Sequence, residues 1–438
     1  GLIFMSTFDS KETIDLNESV MTVLATQKIP SPITIKDLTK LGQVVLAEKR
    51  LQVENENAGL NFRMMKKIPD KLTFDEIATI LVSQLSFANI KTNEDGDVAQ
   101  LGLYQHNKNH PKFGLYSTQM NDMSRMMRAV CPSLSIQGKK EIIDLIQDMV
   151  PTVTRESSPY LVAVNNGIFN KESQELEPFT SDRIFVSKLA INYKPNPINP
   201  VIIADDGYKW DVESWLLDIA NDDNDIKTLF WQVFSDAIHG SYSRGKSIFF
   251  YSQQGNNGKG TIGQLIKNLL GKGNYSTLPI NDFNHEFKLS NLVGAIANIA
   301  DENDVDQYID SVRDFKASIT GDDIIINGKF EKPFPYKFNG ANIQMLNGLP
   351  KTRDKSDSFY RRLILVPFAK SFTNNGERTY IKNDYINRPE VLEYVLHKAL
   401  HLKFDEYIQP NATKSILAEY KETNNPVLQY WNEMSSQF

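Results

Sequence analysis

The spacing of apolar side chains separates a helical first part of the chain from a later part of mixed character. Up to about residue 150, apolar residues recur at helical intervals, so we predict a mainly helical region. Residues 160–164 are typical of a strand, and Asn165-Asn166-Gly167 is a turn signal that precedes a second predicted strand near 184–186. The proline-rich segment 194–200 predicts an extended linker, where we place the main domain boundary.

Beyond residue 246, short apolar runs alternate with helical and loop stretches. The predicted strands are 247–251, 295–300, 341–346 and 363–368. This alternation predicts an α/β fold, in which helices cover both faces of a mostly parallel sheet. After residue 388 the pattern returns to helix.

Composition and charge narrow the range of functions. The 438 residues are 41% hydrophobic and carry a formal net charge of -6, so a basic coat for duplex DNA is excluded. Residues 201–230 are acidic, which we interpret as a solvated helical face and not a metal site, whereas residues 313–370 carry eleven basic and six acidic side chains. The single Cys131 excludes an internal disulfide and suits a reducing cytosol, and no apolar run is long enough for a membrane span.

The clearest candidate for chemistry is a glycine-rich turn between the strand 247–251 and a helix. Glycines allow backbone N–H groups to approach phosphate oxygens, and the positive end of the following helix attracts the same anion. Lys259 would reach the β- and γ-phosphates of ATP. Relative to G-x-x-x-x-G-K-[ST], Gly260 replaces the hydroxyl residue, so we assign the Mg²⁺ contact to Thr261. The predicted nucleotide-binding residues are Gly255, Asn256, Asn257, Gly258, Lys259, Gly260 and Thr261.

Polar residues at the ends of two later strands complete a predicted catalytic set. Asp301 and Glu302 follow the strand 295–300, and we assign Asp301 to Mg²⁺ and Glu302 to the attacking water. Asn347 ends the strand 341–346 and is predicted to sense the γ-phosphate. A guanidinium at a subunit edge can act on a neighbour's nucleotide, and we favour Arg362 over Arg361 for this role.

Within the basic stretch, residues 324–330 read as a strand running into an Asn-Gly hairpin tip. Lysines pair with backbone phosphates and aromatic rings stack on bases, which makes this tip a candidate for DNA contact. The predicted DNA-binding residues are Lys329, Phe330 and Lys332.

Taken in order, these motifs resemble superfamily 3 helicases within the AAA+ ATPases. They are more closely similar to the primase-helicase group of phages, plasmids and poxviruses, which includes replication initiators of bacterial mobile elements. The resemblance rests on segments 256–259, 301–302, 315–322, 347–350, 361–363 and 367–368, with 164–169 and 193–195 upstream.

The resemblance implies an ATP-dependent DNA helicase that translocates 3′ to 5′ on single-stranded DNA as a homo-hexameric ring. It implies ATP and Mg²⁺ as cofactors and a channel hairpin that carries Lys329. Single-stranded and forked DNA would be partners, with a primase or another replication protein, in the cytoplasm of a bacterial host. The domains would be a helical N-terminal region (1–100), an accessory domain with a β-hairpin (101–200), an AAA+ P-loop core (201–388) and a helical tail (389–438).

Two other classes of protein share some of these features. Lys259-Gly260-Thr261 also occurs in nucleotide kinases, but their phosphate loop usually opens the chain, and here it lies past the midpoint. An ATP-switched origin-binding initiator without strong unwinding activity remains open as the alternative.

Overall fold

Backbone contacts divide the chain at the junction of Arg155 and Glu156 into two units. The computed structural model describes residues 16–91, 99–301, 303, 308–309, 311–327, 333–373 and 377–425. None of the helices in these ranges has the length and apolarity needed to cross a bilayer.

The described residues of the first unit form five α-helices, a short 3-10 helix (Phe62–Met64) and a four-stranded sheet of order β3-β2-β1-β4. Side-chain caps define the starts of two helices, where Thr34 and Thr73 each form a capping box. The helices are α1 (Glu18–Ala25), α2 (Ile35–Asn57), α3 (Phe74–Gln84), α4 (Met120–Val130) and α5 (Ile136–Met149). The strands are β1 (Phe87–Lys91), β2 (Ala99–Tyr104), β3 (Tyr116–Ser117) and β4 (Thr152–Thr154).

The prediction of a mainly helical first part is therefore incomplete. Strand β1 is central in its sheet and four of its five residues are buried, so it lacks the alternation that marks a half-buried strand. The two edge strands of the sheet, β3 and β4, are only two and three residues long, and they are held by backbone pairing to β2 and β1.

The second unit contains the remaining elements. Its helices are α6 (Val212–Ile219), α7 (Asn224–Ala237), α8 (Lys259–Leu270), α9 (Arg313–Thr320), α10 (Asp357–Tyr360), α11 (Thr379–Asn383), α12 (Pro389–His401) and α13 (Asn411–Thr423). Its first strands are β5 (Leu161–Val164), β6 (Gly167–Asn170), β7 (Glu175–Glu177), β8 (Ile202–Ile203), β9 (Lys209–Trp210), β10 (Ser247–Tyr251), β11 (Tyr275–Ser276) and β12 (Ala297–Ala300). The later strands are β13 (Tyr308–Ile309), β14 (Asp323–Ile326), β15 (Phe334–Lys337), β16 (Ala341–Leu346), β17 (Lys351–Thr352) and β18 (Leu363–Pro367).

A five-stranded parallel sheet forms the centre of this unit, in the order β11-β12-β16-β10-β18. The four strands predicted after residue 246 are all present, and the predicted parallel sheet is confirmed. Because side chains alternate along each strand, the two faces bury different residues. One face, which includes Ile343 and Met345, packs in a cluster with α7, α8 and α12, whereas the face with Phe249 and Leu365 packs with α9 and β14.

Two local predictions before this sheet are wrong. The chain turns back at once after Asn165-Asn166, so β6 is the second strand of the hairpin, and residues 184–186, all of which are described, form no strand. The boundary between units also precedes the linker 194–200. The reason is packing, since Val162, Phe169 and Leu189 belong to the same buried cluster as the sheet.

The acidic segment 201–230 supplies helix caps and ion pairs. Asp211 and Asp223 cap α6 and α7 through their side chains, and Glu213 pairs with Lys227 and Lys398. These roles explain the acidic character of the segment by helix termini and neighbouring cations.

Candidate functional site

The glycine-rich loop lies at the carboxyl end of β10, the second strand from one edge of the sheet. Asn256 and Gly258 take positive φ angles of 52° and 85°, and α8 begins at the next residue. A Cβ at Gly258 would lie 3.0 Å from the Ile219 side chain, so a glycine relieves both the backbone strain and the close approach. The first turn of α8 thus opens at the sheet's carboxyl edge, which is where parallel α/β sheets bind ligands.

Asn257 shapes this loop from within. Its amide nitrogen donates to Ser252 Oγ at 2.6 Å and to the Gln254 carbonyl at 2.5 Å, while its amide oxygen accepts from the Lys259 backbone N–H at 3.1 Å. The side chain is buried. Asn257 therefore holds the loop's shape, and the contribution we expect from it toward a phosphate is through the backbone.

The Lys259 ammonium is buried behind the loop. It donates to Asn347 Oδ1 at 2.5 Å, to the Leu346 carbonyl at 2.8 Å and to Ser252 Oγ at 3.1 Å. Burial lowers the pKa of Lys259 to about 8, because removal from water disfavours the charged ammonium. Within the described residues, the ammonium is thus held by neutral oxygens, which is the arrangement that an anionic ligand would improve.

Asp301, which follows β12, contacts the side of α8. Its carboxylate pairs with Lys267, and its Oδ1 lies 3.9 Å from the position of a Cβ at Gly263. Lys259, Gly263 and Lys267 are spaced by four residues and share one helix face, so Lys259 and Asp301 both lie along that face. Glu302 lies outside the residues that the structure describes.

The helix does not bring Thr261 and Asp301 together. Each residue of an α-helix turns by about 100°, so Thr261 is about 200° from Lys259 around α8. The face that contacts Asp301 carries Gly263 and Lys267, and Thr261 lies on a different one. A metal contact shared by Thr261 and Asp301 is therefore not supported by this geometry, and Thr261, one residue and about 100° further around α8, does not occupy the place of the hydroxyl that Gly260 lacks.

Three residues that we did not predict also belong to this region. Ser252 bonds to both Asn257 and Lys259, Lys267 pairs with Asp301, and Lys382 Nζ lies 3.8 Å from the position of a Cβ at Gly260. The spacing of Lys267 from Lys259, two turns of helix, is a signal that could have found it. Lys382 comes from α11, and no sequence pattern indicates its approach to α8.

The two arginines lie at the opposite end of the sheet. They precede β18, whose first residue Leu363 pairs in register with Ser247, the first residue of β10. A five-residue strand separates them from the phosphate loop by roughly 15 Å. Arg362 is half-buried and donates to the Ser358 carbonyl, whereas Arg361 is exposed. Neither can reach the loop of its own chain.

The predicted hairpin is present as the antiparallel pair β14 and β15. Ile324 and Ile326 are buried on one side, and Ile325 is 52% exposed on the other. The predicted DNA-binding residues Lys329, Phe330 and Lys332 lie outside the described residues, so their placement stays a prediction.

Comparisons with known proteins agree with this architecture. The family described as "D5 N terminal like" matches residues 63–233, and a family of unknown function (DUF5906) matches residues 238–362. A protein named "Putative helicase L207/L206" from Acanthamoeba polyphaga mimivirus is 24% identical over 249 residues. That match covers 55% of this chain and 25% of the viral protein, so the chain spans about a quarter of its relative.

The D5-type match and the helicase-named relative agree with the resemblance of the motifs to primase-helicases. The apo structure (A form) of the NrS-1 C-terminal region is similar in fold, with a TM-score of 0.50 at 16% identity, over 81% of this chain and 76% of that one. This likeness shows that the mixed α/β fold with a parallel sheet is shared with that structure.

Proposed function

We propose that this chain is the ATP-hydrolysing motor of a replicative DNA helicase, with an AAA+ core of the superfamily 3 type. The observation that carries the proposal is the buried Lys259 ammonium, held by Leu346 and Asn347 at the end of β16, with Asp301 paired to Lys267 further along the same face of α8. The helicase-named viral relative and the D5-type N-terminal match support a role in replication.

The residues present fit a nucleoside triphosphate. Within the described part of the chain, a Cβ at Gly255 would meet no atom within 4 Å, so the loop leaves open space at its outer side. Backbone N–H groups at the start of α8 and the Lys259 ammonium would hold the phosphate oxygens. Asp301 is the described carboxylate that would hold Mg²⁺, after exchanging its contact with Lys267.

Each group has a distinct task in this proposal. Mg²⁺, when bound, would neutralise charge that develops on the phosphates. Lys259 would exchange its neutral oxygen partners for the β- and γ-phosphates, and Asn347, released from Lys259, would orient the attacking water. Glu302 would accept that water's proton.

A ring explains how the arginines could act. Because they lie at the far end of β18 from their own loop, Arg361 or Arg362 would contribute only to the site of a neighbouring subunit.

Experiments that mix two variant subunits test this sharing of sites directly. Lys259→Ala and Arg361→Ala/Arg362→Ala subunits should each be inactive alone, and a mixture should regain hydrolysis, because it forms intact sites between unlike subunits. A mixture that stays inactive would contradict sharing of sites.

The central experiment measures ATP hydrolysis with and without single-stranded DNA. Lys259→Ala should abolish hydrolysis, whereas Lys272→Ala, which removes an exposed lysine from the loop after α8, should not. Full activity in Lys259→Ala would contradict the proposal.

Strand displacement on a forked substrate separates a helicase from an ATP-switched initiator, which would hydrolyse ATP and bind DNA without unwinding. The mass in solution, with and without ATP and DNA, tests the hexamer.

A further inference from the structure

A row of buried amide side chains crosses the face of the sheet that packs against α9. Asn298 on β12 and Asn342 on β16 are register partners, and Gln344 lies two residues further along β16 on the same face. All three are fully buried. Buried amides destabilise the fold unless their polar atoms are hydrogen-bonded. These three side chains bond to one another and to neighbouring residues.

The contacts form one continuous chain of hydrogen bonds. Asn303 Nδ2 donates to Gln344 Oε1 at 3.0 Å, and Gln344 Nε2 donates to Asn342 Oδ1 at 2.8 Å. Asn342 Nδ2 then donates to Ser318 Oγ at 3.1 Å. Ser318, on α9, donates to the Phe315 carbonyl at 2.7 Å. Every member donates in the same direction, from Asn303 toward α9, and such chains polarise one another.

The two ends of this chain lie at different parts of the molecule. Asn303 is two residues after Asp301, and it also donates to the Met345 carbonyl at 3.2 Å, next to the carbonyl of Leu346 that holds Lys259. The other end is α9, which stops at Gly321 and leads directly into β14. This chain of hydrogen bonds thus connects the carboxyl edge of the sheet, where Lys259 and Asp301 lie, to the base of the β14–β15 hairpin.

Packing alone does not account for these side chains. An apolar residue of similar shape at both partners of a buried hydrogen bond is nearly neutral for stability, so the sheet could be closed as well by leucine and methionine. Apolar residues are buried on the same face of the sheet, among them Phe249, Leu346 and Leu365. The row of buried amides is therefore better explained by a need to hold the neighbouring groups in fixed positions.

We propose that Gln344, Asn342 and Ser318 are positioning residues that couple the catalytic edge to α9 and the β14–β15 hairpin. DNA engaged at the hairpin would shift α9, and the hydrogen-bond chain would carry that shift to Asn303 and the strand ends beside Lys259 and Asp301. This inference rests on the proposed function, because it concerns how DNA changes the rate of ATP hydrolysis.

The test compares hydrolysis rates with and without single-stranded DNA in three single variants and one double variant. Ser318→Ala removes the link at α9, and Gln344→Met removes it at the centre. Gln232→Met is the matched control, because Gln232 is an equally buried glutamine on α7, on the other face of the sheet, bonded to Glu406 and Ile408. Thermal unfolding of each variant shows which of them is folded.

Ser318→Ala should keep the DNA-free rate and the affinity for DNA, while the stimulation by DNA falls at least about fivefold, the lower end of usual coupling between sites. Gln344→Met should lower the stimulated-to-basal ratio similarly, and the double variant should be no worse than either single one, because both break one chain. Gln232→Met should keep the ratio of the unmodified protein.

Normal stimulation in Ser318→Ala, or an equal loss in Gln232→Met, would overturn the coupling while leaving the ATPase assignment intact. An unmodified protein whose rate of hydrolysis does not change with DNA would likewise overturn only the coupling, whereas a fully active Lys259→Ala would overturn both.

Discussion

The pKa of Lys259 gives a prediction that connects the geometry of the site to nucleotide binding. Burial lowers this pKa to about 8, and the partners of the ammonium, Ser252 Oγ, the Leu346 carbonyl and Asn347 Oδ1, are all neutral. A lysine is charged below its pKa, so the nucleotide-free protein has the ammonium at pH 7 and loses it as the pH rises through about 8. Phosphate oxygens bind the charged form, and their negative charge would raise the pKa again.

The size of the effect follows from the protonated fraction. With a pKa of about 8, roughly three quarters of the free protein is protonated at pH 7.5 and roughly one tenth at pH 9. If only the ammonium form binds ATP, the Kd should rise roughly eightfold between these values. Binding at pH 9 should also take up roughly 0.9 proton per site from the buffer.

Titration calorimetry with the nucleotide alone, in two buffers of different ionisation enthalpy, measures both quantities. Lys259→Arg is the control, since a guanidinium stays charged over the whole range and should remove the pH dependence and the proton uptake. Lys272→Ala should keep both. A Kd that changes less than twofold from pH 7.5 to 9, with no proton uptake, would refute the reasoning.

Three further substitutions test separate parts of the structure. Asn347→Ala should lower kcat about 100-fold with little change in KM, because the amide acts on the reacting water and not on binding; an equal change in KM in steady-state kinetics would contradict this. Lys382→Ala should raise the KM for ATP by up to about fivefold, since its ammonium lies near the start of α8, while Lys272→Ala should not. Thr73→Ala should lower the free energy of unfolding of the first unit by about 1 kcal/mol through loss of its capping box, with Thr73→Ser close to the unmodified protein in thermal denaturation.

The strands and the helix around the phosphate loop could be read from the sequence because their signals are local. The apolar run before Ser252 and the helical spacing after Gly258 each describe one segment, and the structure contains both elements. The strands of the first unit could not be predicted in this way, because their signals are not local. Its short strands are specified by pairing partners elsewhere in the chain, and β1 has a uniformly buried pattern that a helix shares.

The composition of the site depended on sheet order, which no local pattern encodes. Asn347 meets Lys259 across 88 residues of sequence because β16 lies between β10 and β12. The strand-end position of Asn347 could be predicted, but its contact with the lysine could not. The position of Lys382 was even less predictable. It approaches Gly260 from α11, and no sequence pattern at either residue indicates that they lie close together.

These contacts give a physical interpretation of Gly260, which stands where the standard phosphate loop has a hydroxyl residue. A hydroxyl residue at that position would project toward Lys382, whose Nζ lies 3.8 Å from the place of a Cβ, while Thr261 points about 200° away from Lys259. The side of α8 that other phosphate loops use for a metal contact is here open to a cation from α11. Two cations, Lys259 and Lys382, then flank the start of the helix, and Asp301 is paired with a third, Lys267. We therefore expect the phosphate charge to be balanced more by lysines, and the metal to be held by fewer protein ligands, than the standard loop sequence implies.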